Sequence, residues 1–167
     1  GYGPARRDSG TAITPTTRFN LQSISKQFTC VMIFQLVAEG KIDLQDPLLQ
    51  HLPAYRRETG QQVTIDHLLR HTSGIPCFLN NPYTRAQDRP VFRLGDRYER
   101  SYFVREFLSE DLMFAPGERY SYSKTGYYLL ALVIESVTGR SYEHNLRERI
   151  CGPLDLRETG VVGDSAP

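Results

Sequence analysis

Charge of one sign is the first thing this sequence lacks, since 20 Lys+Arg against 19 Asp+Glu leave a formal net charge of +1 over 167 residues. Its arginines, at Arg6-Arg7, Arg56-Arg57 and scattered from Arg93 to Arg105, form no dense basic block. They read as solvated surface, and nucleic acid is not an expected partner. Cysteine is scarce as well. Cys30, Cys77 and Cys151 are odd in number and far apart, with no Cys-x-x-Cys pair, which argues against a disulfide framework and against a structural zinc site. No apolar run approaches the length that a bilayer-spanning helix needs. Internal repeats and low-complexity linkers are missing too, and the length fits one domain with a real core. The chain opens Gly1-Tyr2-Gly3 with neither an initiating methionine nor a signal peptide, which leaves its compartment open.

Against these absences stands Ser23-Ile-Ser-Lys26, at the head of an apolar stretch that runs to Gly40. Residues at i and i+3 share a helix face, so the lysine nitrogen can reach the serine hydroxyl. A buried lysine can lose its proton and act as a base, which makes the pair a self-activating nucleophile for acyl transfer. The tetrapeptide alone is weak evidence, because ordinary serine and lysine usage places roughly one such match in a chain this long. Ser121-Tyr-Ser-Lys124 is a second match. Context favours the first: Ile24, Phe28, Val31, Met32, Ile33, Phe34, Leu36 and Val37 are apolar nearly all round, as in a buried helix, and Gly40 supplies its stop. Ser23 then sits at a helix N-terminus, where the dipole favours negative charge on a substrate oxygen. The plainer alternative is that Ser23 is an N-cap and nothing more.

His67 and His71 are spaced i, i+4, but no glutamate follows His67, so the zinc-protease pattern fails. A structural histidine beside the turn at Ser73-Gly74 is the better reading. The remaining elements follow from periodicity and turn residues. Weak alternation over Thr11 to Leu21 suggests one or two short strands, and a short helix ends near Leu52-Pro53. Thr64 caps a helix through Leu69, and Thr72 to Gly95 reads as a long loop. Helices are expected over Tyr98 to Leu108, over Tyr127 to Val137 closed by Gly139, and from the Ser141 cap to about Ile150, with a turn at Ala115-Pro116-Gly117.

Several blocks, in one order, resemble the serine hydrolases related to class C β-lactamases, a family that includes esterases and D-amino-acid peptidases. They are Thr17-Arg-Phe19, Ser23-Ile-Ser-Lys-Gln-Phe-Thr29, Glu39-Gly-Lys-Ile-Asp-Leu-Gln-Asp-Pro47, Leu68-Leu-Arg-His-Thr-Ser-Gly74, Phe114-Ala-Pro-Gly117, Tyr120-Ser-Tyr-Ser123 with Gly126-Tyr127, and Val137-Thr-Gly139 before Pro153-Leu154. The resemblance implies Ser23 as the acylated nucleophile, Lys26 as its proton acceptor, and Tyr122 as the tyrosine of the family's Tyr-x-Asn motif. A tyrosine with a pKa of about 10 needs nearby positive charge to serve as a base, and Lys26 can supply it. The plainer reading of Tyr122 is a core or rim aromatic. Leu68 to Gly74 corresponds to a structural block beneath the site, with no chemistry assigned to it.

Two departures shape the functional expectation. Lys124 occupies the place of the motif's asparagine, and a charged lysine cannot accept a hydrogen bond, so it is expected to touch substrate while disfavouring β-lactam recognition more than ester hydrolysis. Lys124-Thr125-Gly126 spells the family's third motif by coincidence, since that element belongs on an edge strand and these residues run into a helix. The second departure is larger. The family's catalytic sheet uses strands that would precede Gly1 and follow Pro167, so residues 1–167 are expected to be a single partial domain, with the nucleophile helix at about 23–39 and a helical subdomain at about 40–167. A smaller departure is Asp155, where the family often has glycine.

The expected fold class is therefore α+β and β-lactamase/transpeptidase-like, with this chain mostly helical and most of the catalytic antiparallel sheet missing. The missing remainder of the hydrolase domain is its expected partner, supplying a second oxyanion donor whose loss costs about 3 kcal/mol. The expected reaction is hydrolysis of a small-molecule ester, amide or peptide substrate through an acyl-enzyme on Ser23, without metal or cofactor. D-amino-acid peptidase or β-lactamase activity is the alternative within catalysis. A non-catalytic binding or scaffold module that keeps the fold is the alternative outside it.

Overall fold

The computed structural model describes residues 2–78 and 99–162. Within them the secondary structure is helical: α1 (Ser25–Ala38), α2 (Leu48–His51), α3 (Arg57–Gly60), α4 (Ile65–Leu69), α5 (Arg100–Phe103), α6 (Lys124–Thr138) and α7 (Tyr142–Leu146). A 3₁₀ turn over Gln22–Ile24 leads into α1, and π-helical turns over Val104–Leu108 and Arg147–Cys151 extend α5 and α7.

α6 is the central element, and α1, α2, α4 and α7 all pack against it. Its start is fixed by Ser123, whose Oγ accepts the Gly126 N–H at 3.4 Å, and its end by Gly139 in the left-handed region at φ 67°. Between those caps Leu129, Leu130, Val133 and Ile134 are fully buried, and removing side chains of this kind costs about 2–5 kcal/mol each. Met32, Ile33 and Leu36 of α1 and Ile65 and Leu68 of α4 join the same core. α1 is tied to the last helices at two further points. Thr29 Oγ1 and the Tyr142 hydroxyl are 2.8 Å apart, and Arg149 pairs with Glu39 beyond the end of α1. Thr64 and His67 close a capping box on α4, with His67 Nδ1 accepting the Thr64 N–H at 3.2 Å.

The strands expected over Thr11 to Leu21 are not formed. Among the described residues there are only isolated antiparallel bridges, Pro4 with Ala12 and Pro47 with Thr64. The sequence after Ala12 turns instead of extending, because the Thr17 hydroxyl accepts the Thr14 N–H at 2.8 Å and Pro15 has no N–H to give a ladder. The nucleophile helix expected from residue 23 also begins later as α-helix, at Ser25, since residues 22–24 take the tighter 3₁₀ form. The loop expected from Thr72 to Gly95 lies outside the described residues beyond Phe78, as does Tyr98 of the following helix. Asp155 sits at φ 52°, which accounts for glycine at such a position and for the tolerance of aspartate there.

One side of α1 is left uncovered. Val31 is 47% and Phe34 50% exposed, next to Gln27, Cys30 and Ala38 in an open apolar groove that runs up to Lys26 and Tyr127. Full burial of such a side chain is worth about 1.5–3 kcal/mol, and this face does not collect it. The 167-residue chain should accordingly bind 1-anilinonaphthalene-8-sulfonate while folded. A Val31→Lys, Phe34→Lys variant should lose most of that fluorescence with its midpoint of thermal unfolding shifted by no more than about 3 °C, the scale of substitutions at uncovered sites. Unchanged dye binding together with a large fall in midpoint would mean that the face is covered.

Candidate active site

The N-terminal end of α1, the segment 120–123 and the turn after α4 meet at one place. Ser23 Oγ lies 2.7 Å from the Tyr122 hydroxyl, a hydrogen bond that joins residues 99 apart in sequence. Lys26 Nζ donates to Ser23 Oγ at 3.3 Å, as the i, i+3 spacing requires. The same nitrogen stands 5.0 Å from the centre of the Tyr122 ring and 5.5 Å from that of Tyr127, within cation–π range of both. Ser23 is exposed and Lys26 half-buried.

The plainer reading of Ser23 does not hold. Neither the 3₁₀ turn nor α1 receives a side-chain cap, and the Ser23 hydroxyl is turned toward Tyr122. The residue before it is held in an unusual conformation. Gln22 has φ 51°, with its N–H donated to Asn20 Oδ1 at 2.9 Å. A left-handed residue other than glycine costs of order 1–3 kcal/mol and persists where the surroundings over-determine it. Here it sets the turn that places Ser23.

Tyr122 is partly exposed, at 42%. Its phenol is held below the ordinary tyrosine value, first by hydrogen bonding to Lys26, then by that to Ser23, with the charges of Lys26 and Lys124 adding to the effect. Two cations close to a phenol stabilise its anion, so the local field favours the deprotonated oxygen, the form of the phenol that can accept a proton. Lys124 is the exposed first residue of α6. The second Ser-x-x-Lys match is not a helix-face pair, because Ser121 lies outside α6 and its N–H is donated to the His71 carbonyl at 2.8 Å. Lys124-Thr125-Gly126 forms the first turn of α6 rather than an edge strand.

The block from His71 to Gly74 lies alongside residues 113–123. The Gly74, Thr72 and His71 carbonyls accept the N–H groups of Met113, Gly117 and Ser121, each at 2.8 Å. Gly74 has φ 75°, and a Cβ there would stand 2.3 Å from the Phe114 carbonyl oxygen, so the close approach demands glycine. His67 and His71 do not share a helix face, because α4 ends at Leu69 and His71 turns left-handed at φ 59°. The His71 ring packs 4.6 Å from that of Tyr122 and 5.0 Å from that of Tyr127. Sequence reasoning gave His71 no part in the site. Its one sequence signal, a histidine just past a helix end before Ser73-Gly74, does not reveal what it touches.

Comparison with known proteins gives the chain's family. The chain is 32% identical over 162 residues to protein flp of Staphylococcus aureus (strain MW2), a match covering 95% of this chain and 31% of that protein. Among solved structures it resembles a D-stereospecific amidohydrolase from Streptomyces sp., with 36% identity and a TM-score of 0.69 over 83% of this chain and 43% of that one. It also resembles a penicillin-binding protein from Bacillus halodurans, with 30% identity and a TM-score of 0.76 over 99% of this chain and 49% of that one. The chain thus spans about a third of flp and less than half of each solved protein. The β-lactamase/transpeptidase-like fold is shared, and because residues 1–167 match the family described as Beta-lactamase from end to end, the chain belongs to that family.

Proposed function

We propose that this chain carries the nucleophile and its base for a serine hydrolase that cleaves an ester or amide through an acyl-enzyme on Ser23. The observation that supports it is the convergence of Ser23 Oγ, the Tyr122 hydroxyl at 2.7 Å and Lys26 Nζ at 3.3 Å. Lys26 and Tyr122 act as a coupled pair that lacks one proton: either a neutral lysine beside the phenol or an ammonium beside the phenolate. Ser23 Oγ attacks the substrate carbonyl carbon and its proton passes to this pair. The C–O or C–N bond to the leaving group breaks, and the leaving group takes that proton. A water then attacks the acyl carbon, gives its proton to the same pair, and the Ser23 oxygen departs as it is reprotonated. The positive end of α1 faces the developing oxyanion.

Lys124 bears on the substrate. A cation at the start of α6 offers donors and no acceptor, so an ester or a carboxylate-bearing acyl group suits it better than an amide N–H that needs a partner. D-amino-acid amides are the second reading, favoured by the 36% identity to the D-stereospecific amidohydrolase.

In the protein that contains these residues, a fluorophosphonate probe should label Ser23 in peptide mapping. Ser23→Ala should abolish labelling, and Lys26→Ala should slow it by about 10²–10⁴, the span of general-base catalysis. Labelling that survives Ser23→Ala or moves to Ser121 would refute the assignment, and no labelling at all would favour a non-catalytic binding module. For Lys124, kcat/KM should be higher for a p-nitrophenyl ester than for a cephalosporin, with the gap narrowing in Lys124→Asn. A preference for the cephalosporin in the unmutated protein would overturn the substrate reading.

A further inference from the structure

We infer that His71 is the positioning residue for Tyr122, because this one residue holds the main chain on both sides of that tyrosine and one face of its ring. The inference rests on the reading of Tyr122 as part of the Ser23 base. The Ser121 N–H is donated to the His71 carbonyl at 2.8 Å, and the Ser123 N–H to His71 Nδ1 at 3.2 Å. Tyr122 lies between these two anchors, with its ring 4.6 Å from the imidazole. The left-handed backbone of His71, at φ 59°, turns the chain at the end of α4 so that carbonyl and ring both reach the segment 121–123. Histidine, asparagine and aspartate enter that region more readily than other side chains. Ser123 carries the restraint onward, because its Oγ caps α6 while its N–H is held by the imidazole.

The clamp works in one protonation state only. Nδ1 accepts the Ser123 N–H while it is unprotonated, which puts the ring proton of the neutral imidazole on Nε2. Burial and the Lys26 ammonium both hold His71 below the ordinary histidine value. The titratable and charged groups facing it are Lys26 from α1, Tyr120 and Tyr122 from the segment before α6, and Tyr127 from α6. Among the described residues none of these is a carboxylate. Protonation therefore removes the Ser123 acceptor and sets a second cation beside Lys26, and Tyr122 loses its anchor as pH falls through the His71 pKa.

The test compares the protein that contains these residues with its His71→Phe variant, which keeps a ring and removes the acceptor, and with its His71→Asn variant. Asparagine tolerates the left-handed backbone and places Oδ1 where Nδ1 stood, without titrating. The readouts are the rate of fluorophosphonate labelling at Ser23 from pH 5 to 9 and long-range nitrogen-proton NMR of the imidazole with the Tyr122 ring signals. The expected results are an Nε2–H tautomer, Tyr122 signals that shift with His71 protonation, and a labelling rate that falls on the acid side at the same pH. His71→Phe should label roughly 10- to 100-fold more slowly, as for a catalytic group displaced by about an ångström. His71→Asn should recover most of the rate and lose the acid limb. Unchanged labelling in His71→Phe, or an acid limb that persists in His71→Asn, overturns the inference. If the unmutated protein shows no labelling, the reading of Ser23 fails, and the NMR arm still decides this one: Tyr122 signals indifferent to His71 protonation overturn it.

Discussion

Packing of α1 against α6 is the constraint from which the site follows. Both helices are too apolar to stand alone in water, and their shared core of Met32, Ile33, Leu36, Leu129, Leu130 and Val133 fixes them together with side chains that leave no room to slide. Ser23 and Lys26 ride on the start of one helix and Tyr122 immediately precedes the other. The 2.7 Å contact between Ser23 and Tyr122 is a consequence of that register. A polar pair at an exposed rim contributes little stability of its own, so the geometry depends on the apolar contacts beneath it.

The chemistry depends on charge placed by the same packing. The Tyr122 and Tyr127 rings stand 5.0 and 5.5 Å from Lys26 Nζ, and the His71 ring packs against both of them. Such an environment offers π faces and a hydroxyl with no carboxylate among the groups described here. Tyr122 responds to the same nitrogen, its phenol held below the ordinary tyrosine value by hydrogen bonding to Lys26 and to Ser23.

What the sequence reveals depends on how local the cause is. Helix ends were legible where Thr64, Ser141 and Gly139 each act within one turn, whereas α6, capped by Ser123, begins at Lys124, three residues before the expected Tyr127. Ser23 and Lys26 were legible because i, i+3 spacing is a property of the helix itself. Tyr122 was reached only through the resemblance, since a contact between residues 99 apart leaves no periodic trace. The strands over Thr11 to Leu21 were misread, because weak alternation cannot make a ladder without a partner strand to receive it. His71 was passed over for a different reason. Its part depends on a left-handed backbone and on a main-chain N–H from residue 123, and side-chain patterns encode neither.

Two residues other than glycine hold left-handed backbone beside the site, Gln22 next to Ser23 and His71 behind Tyr122. Each conformation is unfavourable by about 1–2 kcal/mol on its own. Two such residues in one small region are tolerated because the neighbouring packing is stiffer than the strain. Asn20 Oδ1 secures Gln22, and the N–H groups of Ser121 and Ser123 secure His71. The strain points to what the fold is arranged to keep. Both hydroxyls, of Ser23 and of Tyr122, are set by a backbone turn that relaxed chains avoid, so any rearrangement that released either turn would separate the pair. The exposed face of α1 continues from Lys26 along the same helix through Cys30, Val31 and Phe34. The two strained turns are thus held by the apolar α1–α6 core beneath them, and the Ser23–Tyr122 contact depends on that core.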